Sequence, residues 1–155
     1  MSKTSGMHRR RLLAAACLLP FSGVWAAPTP ALMEVWKDPN CGCCKDWIVL
    51  VEQAGFTVRV FDTGNNGPRA KLGLPAKFGS CHTARINGYV IEGHVPVREI
   101  QRLLREKPKA LGLAVPGMPI GSPGMDGPVY AGRKDPYDVL LVQVDGSSAV
   151  YKSYP

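Results

Sequence analysis

The chain has 155 residues, is 45% hydrophobic and 20% charged, and carries a formal net charge of +7. Lys3, Arg9, Arg10 and Arg11 crowd the first 11 positions with no acid among them, so the remainder is only mildly basic. No Lys/Arg run and no basic–aromatic interleaving follows, which argues against nucleic acid as a partner.

Residues 1–11 are polar and basic, residues 12–25 apolar, and Val24-Trp25-Ala26 fits a small-x-Ala cleavage site. This three-part pattern predicts a signal peptide over 1–26. The apolar run falls short of the roughly 20 residues that span a bilayer, so no membrane association is expected after cleavage. Arg9-Arg10-Arg11-Leu12-Leu13 also fits a loose twin-arginine pattern, so the Sec and twin-arginine routes both stay open. Residues 27–155 then form one domain of ordinary size, able to bury a core. Without the leader's four basic residues its net charge is +3.

In chain order, residues 32–36 read as a short apolar strand. Asp38-Pro39-Asn40-Cys41-Gly42 is turn-like. A helix is expected over 43–54, with Trp47, Leu50, Val51 and Ala54 on one face and Gly55 as its stop. Phe56, Val58 and Val60 alternate as a half-buried strand would. Residues 69–73 suggest a short helix. Two strand-like runs, 80–86 and 89–94, flank Asn87-Gly88, the strongest short hairpin signal. Pro96 suits the first position of a second amphipathic helix, marked by Val97, Ile100, Leu103 and Leu104 and ended by Pro108. Residues 112–127 read as a Pro/Gly loop in which Pro116-Gly117-Met118 returns as Pro123-Gly124-Met125. Residues 137–144 and 148–154, joined at Asp145-Gly146, form a last antiparallel pair. Trp36 and Trp47 are expected in the core. Asp38, Asp46 and Glu92 read as solvated, capping or turn residues, and no Ser/His/Asp set or phosphate loop is present.

The order β-α-β, short α, β-hairpin, α resembles the thioredoxin layout, with an added C-terminal β-hairpin. The predicted class is therefore α/β, thioredoxin-like. In that layout a Cys-x-x-Cys follows the first strand, where Cys41–Cys44 lies here. The thioredoxin pattern places a proline before the hairpin; here the stretch reads Gly79-Ser80-Cys81-His82. The end of the second hairpin strand, Gly93-His94, borders the same point.

Four cysteines remain after cleavage: Cys41, Cys43, Cys44 and Cys81. In an exported, oxidising setting thiols are usually paired or metal-bound. A cysteine at a helix N-terminus ionises readily, which serves both metal binding and disulfide exchange. Lys37 and Lys45 would add positive potential. Thiolate and thioether select copper(I), with zinc and iron–sulfur clusters as competitors. The candidate ligands are Cys41, Cys43, Cys44, Cys81, His82, His94, Met118 and Met125, a set larger than one tetrahedral ion needs, so several ions are conceivable. Cys81 and His82 are adjacent and would face opposite sides of a regular strand; both serve only if the backbone is irregular there. Exported copper(I) binding is the leading reading. A thiol–disulfide oxidoreductase using Cys41 and Cys44 is the alternative, and a structural zinc domain the third.

Val35-Trp36-Lys37-Asp38-Pro39-Asn40-Cys41-Gly42-Cys43-Cys44, Ser80-Cys81-His82-Thr83, Val90-Ile91-Glu92-Gly93-His94-Val95-Pro96 and Gly112-Leu113-Ala114-Val115-Pro116-Gly117-Met118-Pro119 together resemble the CopG-like copper-resistance proteins. The resemblance runs from about Met33 to Tyr151. It implies a periplasmic, thioredoxin-like copper protein whose Cys-x-Cys-Cys motif binds copper, with a redox role between copper(I) and copper(II). Its partners would be copper ions and other periplasmic copper-handling proteins.

Overall fold

A computed structural model describes residues 31–155; the expected signal peptide and Cys17 lie outside the described residues. Seven strands form one mixed sheet in the order β2-β1-β3-β4-β5-β6-β7. They are β1 (Leu32–Lys37), β2 (Thr57–Phe61), β3 (His82–Ile86), β4 (Tyr89–Glu92), β5 (Gly112–Ala114), β6 (Tyr137–Val142) and β7 (Ser148–Tyr154), with helices α1 (Gly42–Gln53), α2 (Asn66–Lys71) and α3 (Val97–Glu106) between them. Single 3-10 turns lie at Ala76–Phe78 and Pro128–Tyr130. The class is mixed α/β, and the sheet is one strand wider than the β-α-β unit and two hairpins expected from the sequence.

β1 and β2 pair in parallel across α1, as the expected β-α-β unit requires. β3 pairs antiparallel with both β1 and β4. Asn87 and Gly88 have φ of 48° and 86°, the left-handed pair that a two-residue hairpin turn demands. The C-terminal hairpin β6–β7 is present, with an irregularity between Val139 and Leu140.

The sequence reading missed β5. Residues 112–114 open the expected Pro/Gly loop, yet they pair in parallel with β4 and antiparallel with β6. β4-α3-β5 is thus a second crossover unit, and β5 welds the C-terminal hairpin onto the sheet. Gly112 is required there: a Cβ would lie 1.8 Å from the Val90 carbonyl oxygen.

The main core lies between one sheet face and helices α1 and α3. Met33, Val35, Ala84, Ile86, Ile91 and Leu113 meet Trp47, Ile48 and Val51 from α1 and Ile100 and Leu103 from α3. The opposite face carries a smaller cluster around Leu74, Phe78, Val90, Ala114 and Val142. The buried stripe of α1 is Cys44, Trp47, Ile48 and Val51. Ala54, expected on that face, is its exposed C-cap, and Leu50 is only half-buried. Trp36, expected in the core, is half-buried and stacks on Phe61 at 5.3 Å. β1 alternates, and Trp36 has the parity opposite to Met33 and Val35. Val60 is exposed because β2 is an edge strand. Pro96 caps α3 rather than opening it, and Lys107 closes that helix in the left-handed region.

Candidate metal centre

The turn after β1 is built by Asp38. Its carboxylate accepts the Asn40 N–H at 2.8 Å, and its carbonyl accepts the Cys41 N–H at 3.1 Å. Cys41 becomes the N-cap of α1 in extended conformation. Lys37 is buried, pairs with Asp62 and donates to the Asp38 carbonyl. Its ammonium thus braces the turn, and its charge is matched by Asp62 instead of facing the cysteines.

Cys41 and Cys44 are joined as a disulfide, with Cα atoms 5.4 Å apart; Cys43 and Cys81 are free thiols. Cys43 Sγ lies 3.6 Å from Cys41 Sγ and 4.0 Å from Cys81 Sγ. Cys44 Sγ lies 3.7 Å from the Cys81 carbonyl oxygen. The Cys-x-Cys-Cys triplet and the distant Cys81 therefore share one spot.

Cys81 immediately precedes β3. It escapes strand alternation, so its sulfur and the His82 ring both turn to the same side: Sγ lies 3.4 Å from His82 Nδ1. His82 is fully buried under Trp47, with ring centroids 4.4 Å apart, and its Nε2 has no hydrogen-bond partner. Trp47 is held in turn by its indole N–H, which donates to the Val95 carbonyl at 2.9 Å.

His94 reaches the site through Gly93, whose φ is 70° and whose Cβ would lie 2.5 Å from Ser80 Oγ. Only glycine allows that turn. His94 Nε2 then sits 3.0 Å from Cys81 Sγ, and Nδ1 sits 2.7 Å from the Pro123 carbonyl oxygen. A carbonyl only accepts, so Nδ1 carries the proton and Nε2 presents its lone pair to the sulfur. The second nitrogen of a metal-ligating histidine is usually fixed in this way.

Two donor groups result, each with its atoms within 4.8 Å of one another: Cys41, Cys43, Cys44 and Cys81, and then Cys81, His82 and His94. Cys81 belongs to both. Burial shapes their protonation. Burial, then the neighbouring Cys43, pushes the Cys81 thiol up to about 12. Burial, then His94, pushes His82 down to about 3, and burial lowers His94 as well. Both imidazoles are therefore neutral near pH 7, the form that ligates a metal. The donors are sulfur and imidazole, the buried His82 Nε2 is orphaned, and no carboxylate intrudes. That chemistry fits a soft ion.

The two Pro-Gly-Met copies are placed differently. Met125 is buried, and its sulfur accepts a hydrogen bond from the Tyr130 hydroxyl at 3.2 Å. Met118 is exposed and lines an open groove with Pro116, Pro119, Tyr137 and Leu140. The loop itself closes on the site. A Cβ on Gly124 would lie 2.7 Å from the Cys43 carbonyl oxygen, and Pro123 holds His94.

Glu92 departs from the sequence reading. It is fully buried, not solvated. Its carboxylate accepts the Ser80 N–H at 2.7 Å, Arg69 Nε at 2.8 Å and the Thr83 hydroxyl at 2.6 Å. Sequence reasoning missed Arg69 and Thr83 too; both lie among polar and small residues, and nothing in their local pattern marks them as buried or paired.

A family model described as "Protein of unknown function, DUF411" matches residues 78–125, which hold Cys81, His82, His94 and both methionines. No curated protein matches the chain. Two solved structures described as copper resistance protein CopG, form 2 and form 1, are each 43% identical to it and cover 81% of it. The match takes in 99% and 98% of those chains, with TM-scores of 0.74 and 0.75. Identity of that level over nearly the whole length of those chains, on the same backbone, means that the chain belongs to the family of copper resistance protein CopG.

Proposed function

We propose that this protein is an exported, periplasmic copper(I)-binding protein of copper tolerance, built on a thioredoxin-like frame. The observation that carries the reading is the sharing of Cys81 Sγ between a four-sulfur group and a sulfur–imidazole group. A thiolate common to two donor sets is a bridging ligand, so the site takes more than one copper ion. Thiolate and imidazole donors without a carboxylate favour copper(I) over harder cations. The β2-β1-β3-β4 order, with β1 and β2 parallel and β3 antiparallel, supports the thioredoxin-like reading. The leader pattern over 1–26 supports export.

All four thiols are available once an external dithiol has reduced the Cys41–Cys44 disulfide, giving up two electrons and two protons and becoming a disulfide itself. Cys41, Cys43, Cys44 and Cys81 then supply sulfur, and His82 and His94 supply neutral imidazole. Met118 and Met125 belong to the loop that covers the site and are its reserve of soft donors. The copper carried between oxidation states is the cargo of the redox role, with other periplasmic copper-handling proteins as its source and destination.

One observation favours a second reading, a thiol–disulfide oxidoreductase. Cys41 is half-buried and Cys44 fully buried, the asymmetry expected of an attacking thiol and its resolving partner. Anaerobic reconstitution of the reduced protein with copper(I), and separately with zinc, decides between them. Several copper ions per chain, and fewer in Cys43→Ser, support the copper reading. A stoichiometric disulfide with no retained copper overturns it in favour of disulfide exchange.

A further inference from the structure

Glu92, Thr83, Arg69 and Asn65 lie on the sheet face opposite His82, behind the metal centre. β3 residues of even number, His82, Ala84 and Ile86, face α1 and α3, whereas Thr83 points to the other side, toward α2. Most bonds of this cluster end on one short segment. The Glu92 carboxylate accepts the Ser80 N–H and the Thr83 hydroxyl. The Ser80 carbonyl accepts Arg69 Nη2 at 2.7 Å and Asn65 Nδ2 at 3.1 Å. Asn65 Nδ2 also lies 3.2 Å from the Thr83 hydroxyl oxygen. Arg69 Nε closes the ring on Glu92, and Arg69 Nη1 is held by Asn66 at 2.9 Å.

The segment so gripped is Ser80 to Thr83, and Cys81-His82 is its middle. Ser80 is fixed at both its N–H and its carbonyl, while Thr83 is fixed by its side chain. The peptide between has little freedom to relax into the regular strand that would turn Cys81 and His82 to opposite faces. From this we infer that Glu92 and Thr83 are positioning residues for the metal centre. They hold the backbone irregularity that lets two adjacent residues donate to one site. Neither touches a donor sulfur or imidazole nitrogen; they act through the Ser80 and Thr83 backbone. The inference rests on the copper reading for its ligand, but the irregularity itself concerns the metal-free protein.

The test uses three variants and two readouts. Thr83→Val keeps the shape and removes the hydroxyl donor; Thr83→Ser keeps the donor. Glu92→Gln removes the charge and one acceptor. Copper(I) affinity is measured by competition with a chromophoric chelator. Cys81 accessibility is measured on the metal-free protein by alkylation rate, with the modified peptide located by mass spectrometry. Thr83→Val and Glu92→Gln are expected to lower copper(I) affinity by about 10–100-fold, the usual effect of losing an outer-sphere partner. Both should change the Cys81 alkylation rate, and Thr83→Ser should restore both quantities. A Thr83→Val protein, folded by circular dichroism, with wild-type affinity and wild-type Cys81 alkylation overturns the inference. So does a Thr83→Ser protein as impaired as Thr83→Val. If the wild-type protein retains no copper, the copper reading fails, and the alkylation series still decides the positioning role.

Discussion

His82 makes the folded protein sensitive to acid by an amount that can be worked out. Its ring is fully buried, stacked on Trp47, with Nε2 unpartnered. Burial holds its pKa at about 3, against 6.5 for a free imidazole. Below pH 6.5 the unfolded chain takes up a proton that the native chain refuses. The unfolded state then binds more protons, so stability falls as pH falls from 6.5 toward 3. The slope is about 1.36 kcal/mol per pH unit for one group, which gives about 2 kcal/mol between pH 7 and pH 5. His94 is lowered too and acts in the same sense, whereas burial raises Glu92, which acts in the opposite one. A difference between two proteins removes both contributions. His82→Phe fills similar space beside Trp47 and cannot titrate. Urea unfolding of the metal-free proteins at pH 7 and pH 5 supplies the four stabilities. The wild type should lose about 2 kcal/mol more than His82→Phe on going to pH 5. Equal losses in the two proteins would mean that His82 titrates in the fold as it does in the unfolded chain, and the burial that holds its imidazole neutral at pH 5 would have to be given up.

Cys81→Ala removes the sulfur common to both donor groups, so it should retain less copper after desalting than His82→Phe or His94→Phe does. The Cys81 thiol, at about 12, is protonated near neutral pH. Copper(I) loading should therefore release its proton, and affinity should rise by about tenfold per pH unit from that group alone; chelator competition between pH 6 and pH 8 checks this, and a flat profile contradicts it. Gly124→Ala puts a Cβ 2.7 Å from the Cys43 carbonyl oxygen at a φ of 85°, and should cost about 1–3 kcal/mol in thermal unfolding. Trp47→Phe loses the bond to the Val95 carbonyl and should destabilise by about 1–3 kcal/mol, from the buried acceptor left alone.

What could be read from the sequence was local. Asn87-Gly88, the 3.6-residue spacing of Val97, Ile100, Leu103 and Leu104, and the Asp145-Gly146 turn each dictate their own conformation. So the β-α-β unit, the first hairpin, α3 and the last hairpin all appear in the expected order. β5 could not be read this way. Three residues, Gly112-Leu113-Ala114, carry no alternation, and they become a strand only by pairing with β4 and β6. The α1 stripe was misplaced because Cys44 counted as chemistry when it is also core. Glu92 was misread for a related reason. β4 is buried along nearly its whole length, so Tyr89-Val90-Ile91-Glu92 shows no inside and outside. A lone acid at the end of such a strand looks solvated until Arg69 arrives from α2 and Thr83 from β3.

The cysteine cluster was visible from spacing, but the way it is completed was visible only as a condition. Adjacent Cys81 and His82 can both serve one centre only off a regular strand. The fold meets that condition by starting β3 at His82. It meets the matching condition for His94 with Gly93, since a side chain there would collide with Ser80 and the Val115 carbonyl. Ser80 therefore stands at the junction. Its hydroxyl donates to Gly117 of the covering loop, its N–H to Glu92, and its carbonyl accepts from Arg69 and Asn65. The polar network behind the sheet and the Pro/Gly loop in front of it both hold this one residue. The proposed centre, whose donors would come from Cys41–Cys44, Cys81-His82 and His94, needs such a joint, because none of those segments fixes the others by its own secondary structure.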